Sequence, residues 1–110
     1  MSSVSTHVLD TSRGRPGAGI VVSLERLGDG AGLIASGLTD DDGRVGVLGP
    51  DVLAGGTYRL VFDTAAYFDD LGIPAFFPEV AVAFTVGDSV EHYHVPLLLS
   101  PFAFSTYRGS

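Results

Sequence analysis

Apolar residues in this chain recur at every second position, in short runs separated by glycine, proline and aspartate. That is the pattern of half-buried strands joined by turns. The clearest run lies near the end. Tyr93, Val95, Leu97 and Leu99 make one wholly apolar face, and His92 and His94 fall together on the other. Val4 to Asp10 reads the same way, with Val4, Thr6 and Val8 on one side and Ser5, His7 and Leu9 on the other. Ile20 to Leu27 sets Ile20, Val22 and Leu24 on one face against Val21, Ser23 and Glu25, and Thr57 to Asp63 sets Tyr58, Leu60 and Phe62 inward. Leu33 to Leu38, Arg44 to Leu48, Ala81 to Val86, Ser89 to Leu99 and Phe102 to Tyr107 complete eight predicted strands. Between the fifth and sixth the period changes. Thr64 to Leu71 predicts one short helix, capped by Thr64, with Ala66, Phe68 and Leu71 on its apolar side. The sum is an all-β fold, an antiparallel sandwich of two sheets.

Length adds that one domain, 1–110, has enough chain for a modest core. Without cysteine, disulfides and thiolate metal sites are excluded. A formal charge of −7 with no lysine argues against nucleic acid as a partner. No apolar run approaches the ~20 residues of a membrane span, and the first residues lack the pattern of a signal peptide. The expected location is therefore cytoplasmic. Only 17% of residues are charged, so a small domain of this composition must expose apolar surface, which predicts self-association.

Few groups could do chemistry. There is no Gly-x-Ser-x-Gly elbow, phosphate-binding glycine loop or dinucleotide fingerprint. Asp40, Asp41 and Asp42 suggest calcium but lack the alternation and closing glutamate of an EF-hand loop, and they read as a solvated turn. The candidates are His7, His92, His94, Arg44 and the segment Tyr107 to Ser110. His92 and His94 with His7 as third ligand would make a zinc site. Alternatively, if the first and seventh strands are neighbours, His7 and His94 project from one sheet on its non-core side. There an imidazole can take a proton from water and return it to a leaving nitrogen. A guanidinium beside it keeps the imidazole neutral and steadies oxyanion charge, and Arg44 is the candidate.

These residues resemble a known family. His92-Tyr93-His94-Val95-Pro96-Leu97-Leu98-Leu99-Ser100-Pro101, with Ser105-Thr106-Tyr107-Arg108-Gly109-Ser110, is similar to the closing signature of the 5-hydroxyisourate hydrolases, the transthyretin-related proteins. Thr6-His7-Val8-Leu9-Asp10, Gly14-Arg15-Pro16, Thr39 to Arg44, Tyr58 to Phe62 and Phe76 to Val80 agree in collinear order. The ending Tyr-Arg-Gly-Ser is the most specific part, because transthyretin itself does not have it. Where the family commonly reads Ser-Pro-Tyr-Gly-Tyr-Ser, this chain has Ser100-Pro101-Phe102-Ala103-Phe104-Ser105.

The resemblance implies a transthyretin-like sandwich assembled as a homotetramer, a dimer of dimers, with sites at the subunit interface. It implies hydrolysis of a cyclic amide C–N bond, the ring opening of 5-hydroxyisourate to a ureidoimidazoline carboxylate in urate breakdown, without metal or organic cofactor. The family's catalytic positions fall on His7, Arg44 and His94. Substrate contacts fall on His7, Arg44, Tyr107, Ser110 and, in second rank, His92. Two rivals stand beside it: a carrier holding an aromatic ligand in a channel, and a structural sandwich module.

Overall fold

The computed structural model describes residues 3–110. Nine strands and one helix follow in the order β1 (Val4–Asp10), β2 (Arg15–Pro16), β3 (Val21–Arg26), β4 (Gly32–Leu38), β5 (Arg44–Val45), β6 (Gly56–Phe62), α1 (Thr64–Asp70), β7 (Val80–Val86), β8 (Tyr93–Leu99) and β9 (Phe104–Thr106). One sheet runs β4-β3-β6-β7. The other runs β2-β1-β8-β9, with β5 also paired to β1. The alternation described above decides which side chains lie between them. Val4, Val8, Val22, Leu24, Leu60, Phe62 and Leu97 are fully buried there. Burying each such side chain contributes about 1.5–3 kcal/mol, so the interior between the sheets holds the sandwich together.

Pairing departs from a purely antiparallel arrangement at one place, and that place matters. β1 and β8 are parallel over seven residue pairs, from Val4 opposite Tyr93 to Asp10 opposite Leu99. Parallel neighbours require a crossover, and here the crossover contains the whole opposite sheet. Thr6 faces inward among apolar residues, and its hydroxyl is satisfied by the Val95 carbonyl at 2.6 Å.

Several boundaries differ from the expectation. The fourth strand stops at Val45, although Leu48 is still buried. The seventh begins at Tyr93, so Ser89 to His92 lies outside it. β2 adds two residues to what reads as a loop. The helix is capped by Asp63, whose carboxylate accepts from the Ala66 N–H, and its buried side chains are Thr64, Tyr67 and Phe68. Thr64 lies inside the first turn with its hydroxyl on the Phe77 carbonyl at 3.2 Å, while Leu71 is 37% exposed. Tyr67 ties the helix to the end of β1 by donating to the Asp10 carboxylate at 2.7 Å.

Candidate functional site

The outer face of the β1–β8 sheet carries the site, and the pairing register assembles it. Ser5 lies opposite His94, and His7 lies opposite Pro96 on one side and Arg44 on the other. β5 is held in place by the turn before it. The Asp40 carboxylate accepts from the N–H groups of Asp42 at 2.9 Å and Arg44 at 3.0 Å, which gives this aspartate a capping role in the turn. Gly43 has φ +79°, and a Cβ there would collide with the Val8 carbonyl. Only glycine lets the turn lie this close to β1.

His7 Nε2 sits 2.9 Å from the Asp42 carbonyl. A carbonyl can only accept, so Nε2 carries the proton and the neutral ring is bare at Nδ1. His94 Nδ1 lies 2.8 Å from the Ser5 hydroxyl, and His92 Nε2 lies 2.8 Å from the same oxygen. Ser5, Thr6, Arg44, Gly46, His92, His94 and Ser110 line an open hollow of about 310 Å³. Burial pushes the His94 pKa below the usual histidine value. The Arg44 guanidinium and the imidazoles of His92 and His7 push it further, outweighing a hydrogen bond to the Ser5 backbone. His94 is thus held neutral beside a permanent positive charge.

The closing segment is fixed against this face. The Gly109 N–H donates to the His94 carbonyl at 2.7 Å. Arg108 reaches Glu91 at 3.1 Å and lies over the Tyr93 ring, 4.7 Å from its centre. Tyr107 is placed elsewhere. It is 58% exposed and lines a separate apolar cleft with Val82, Phe84 and Val95 at the β7–β9 edge of the sandwich.

The structure therefore brings Arg44, His92, His94 and Ser110 to one hollow, keeps His7 on the same sheet within electrostatic reach, and puts Tyr107 in a different cleft. Ser5 was not singled out as a site residue. Its outward parity beside His7 was the available signal, but its two histidine contacts depend on a register spanning most of the chain. Among the described residues no group of three or more His, Asp or Glu side chains is arranged to hold a metal ion. One ring nitrogen of each histidine is engaged, His7 Nε2 by the Asp42 carbonyl and His92 Nε2 and His94 Nδ1 by Ser5.

The HIUase/Transthyretin family model matches residues 4–109. The 5-hydroxyisourate hydrolase of Salmonella dublin is 46% identical over 109 residues, covering 97% of this chain and 80% of the relative. Among solved structures, the Klebsiella pneumoniae 5-hydroxyisourate hydrolase superposes with a TM-score of 0.88 at 38% identity, covering 99% of this chain and all of that one. Sea bream transthyretin in complex with thyroxine superposes with a TM-score of 0.89 at 29% identity, covering 97% of this chain and 94% of that one. The fold is transthyretin-like, and the chain belongs to the HIUase/transthyretin family.

Proposed function

We propose that this protein is a hydrolase that opens the ring of 5-hydroxyisourate, a step of urate breakdown, by attack of an activated water on a ring carbonyl. The observation that carries the reading is the neutral, half-buried His94 held beside Arg44 at the hollow. A bound thyroxine-like ligand would give no reason for that pairing, and identity to the hydrolases exceeds that to transthyretin.

In this mechanism His94 takes a proton from water as the oxygen attacks the carbonyl carbon. Arg44 donates to the carbonyl oxygen as it gains negative charge. The ring C–N bond then breaks, and the proton held on imidazole passes to the leaving nitrogen. His7, fixed by the Asp42 carbonyl, presents its bare Nδ1 as an acceptor for a substrate N–H or hydroxyl. Ser110 and His92 orient the ring from the far side of the hollow. Tyr107 keeps no assigned contact with substrate in its own subunit. No metal or organic cofactor takes part in these steps.

The working unit we propose is a single-domain, cytoplasmic homotetramer whose hollows are closed by neighbouring subunits. The hollow is open as it stands, and β9 is exposed at every residue. Unpaired edge strands such as β7 and β9 are places where another copy can add. The experiment is the ultraviolet decay of freshly generated 5-hydroxyisourate with and without purified protein and chelator, alongside light scattering. Catalysed decay that survives chelator supports the reading. Decay at the spontaneous rate overturns it, and a monomer by light scattering overturns the assembly.

A further inference from the structure

Among the described residues Ser5 holds the one hydroxyl in contact with two imidazoles, and the mechanism above does not use it. Its Oγ lies 2.8 Å from His92 Nε2 and 2.8 Å from His94 Nδ1. The side chain is buried under the two rings at 8% exposure. His94 is half-buried and His92 is exposed. His94 Nε2 has no hydrogen-bond partner among the described residues, so it is the ring nitrogen left for the hollow. A hydroxyl donates one hydrogen bond and accepts others. With both neighbours at bonding distance, Ser5 donates to one imidazole and accepts from the other.

We propose that Ser5 is a proton relay that joins His94 to His92, making the two imidazoles one acid–base unit that runs from the half-buried ring to the exposed one. The proposal rests on the hydrolytic reading. Before reaction, His94 Nδ1–H donates to Ser5, Ser5 O–H donates to His92 Nε2, and His94 Nε2 is bare. Water gives its proton to His94 Nε2. The Nδ1 proton moves to the Ser5 oxygen, and the Ser5 proton moves to His92 Nε2. His94 is neutral again, and the positive charge has moved to the exposed ring. Reversing the two transfers returns the proton to the leaving nitrogen. No proton is gained or lost in the cycle.

The geometry supplies a reason for such a relay. An imidazolium formed at His94 would be partly desolvated and would face the permanent charge of Arg44 on β5. Passing the charge to the exposed ring relieves the desolvation. Glu91, the residue before His92, is engaged by Arg108 at 3.1 Å.

Ser5→Ala, Ser5→Thr, His92→Gln and the Ser5→Ala/His92→Gln double variant test this by 5-hydroxyisourate kinetics across acid and neutral pH. Nitrogen-15 spectra of the imidazoles provide a second readout. Ser5→Ala is expected to lower kcat by about tenfold or more with KM little changed, and Ser5→Thr to recover most of it. The double variant should be no slower than the slower single one, because both break one chain. His92→Gln should also shift the Nδ1/Nε2 tautomer balance of His94, and it should cease to do so once Ser5 is alanine. Wild-type kcat and pH profile in Ser5→Ala, losses that multiply in the double variant, or His94 signals indifferent to His92→Gln would each overturn the relay. An inactive wild type would overturn the hydrolytic reading instead. The spectra judge the relay in either event, and Ser5→Thr and His92→Gln do so should Ser5→Ala not fold.

Discussion

Gly109 and His94 are in contact through backbone and ring at once. The Gly109 N–H donates to the His94 carbonyl at 2.7 Å, and a Cβ on Gly109 would stand 2.5 Å from His94 Cδ2. The glycine in the closing signature is thus a matter of clearance for the imidazole. Gly109→Ala must push the ring or the tail away. A displacement near 1 Å at a reacting group can cost about a hundredfold, so this variant should lose most of its activity while its melting temperature moves little.

In the proposed mechanism Arg44 contributes twice, to the oxyanion and to the ionisation of His94. Arg44→Gln should lower kcat/KM by about 10²–10³-fold, the scale for removing one such donor. It should also raise the His94 pKa, since a neighbouring positive charge is gone. The acid limb of the pH–rate profile then moves to higher pH, which a kcat/KM titration would read directly. A large rate loss with an unmoved limb would separate the two roles and contradict this account.

Acid stability depends on a second cluster, at the far end of β1. Burial pushes the Asp10 carboxyl up. Hydrogen bonds from the hydroxyls of Ser12 and Tyr67 and the N–H groups of Arg13 and Ser12 outweigh it, leaving Asp10 below the usual carboxylate range. A carboxylate with a lowered folded-state pKa stabilises above its unfolded value and loses that contribution as pH falls through the folded one. Burial and the Asp10 charge together raise the Tyr67 hydroxyl above its ordinary value, so Tyr67 stays a donor. Tyr67→Phe should cost about 1–3 kcal/mol at neutral pH and raise the Asp10 pKa, bringing acid unfolding on at higher pH. Denaturant melts at two pH values would show it.

The departures at Phe102, Ala103 and Phe104 leave the last turn intact. The Ser100 N–H donates to the Ala103 carbonyl at 2.9 Å, and the Ser100 hydroxyl accepts from the Ala103 N–H at 3.2 Å. Among the described residues no non-glycine residue has a positive φ, so alanine suits position 103. Phe104 stands edge-on to Phe77 with centroids 5.2 Å apart. Ala103→Gly should therefore lower stability by about 0.4–1 kcal/mol through unfolded-state entropy, with activity unchanged. Thermal melts beside the decay assay check both halves.

Side-chain parity was legible because period two leaves no ambiguity about faces. Tyr93, Val95, Leu97 and Leu99 are all buried, and so are Tyr58, Leu60 and Phe62. Local competition was harder to read. Asp63 and Thr64 are both good caps, and the structure uses Asp63 because Thr64 finds the Phe77 carbonyl. β2 is two residues long and exists only because β1 offers it partners, so no periodicity could show it. The functions of Ser5 and the placement of Tyr107 turn on which strand docks where. A Ser–His contact across 89 positions has no local signature.

The parallel pairing of β1 with β8 has a temporal meaning as well. Every residue of the hollow except Arg44 and Gly46 belongs to β1, to the approach and body of β8, or to the tail that crosses it. The two halves are separated by some 80 residues of chain, which include the whole opposite sheet. Loops of that span close late and slowly. Regained hydrolysis during refolding should lag the recovery of strand signal, which makes enzymatic competence a clock for the final docking event.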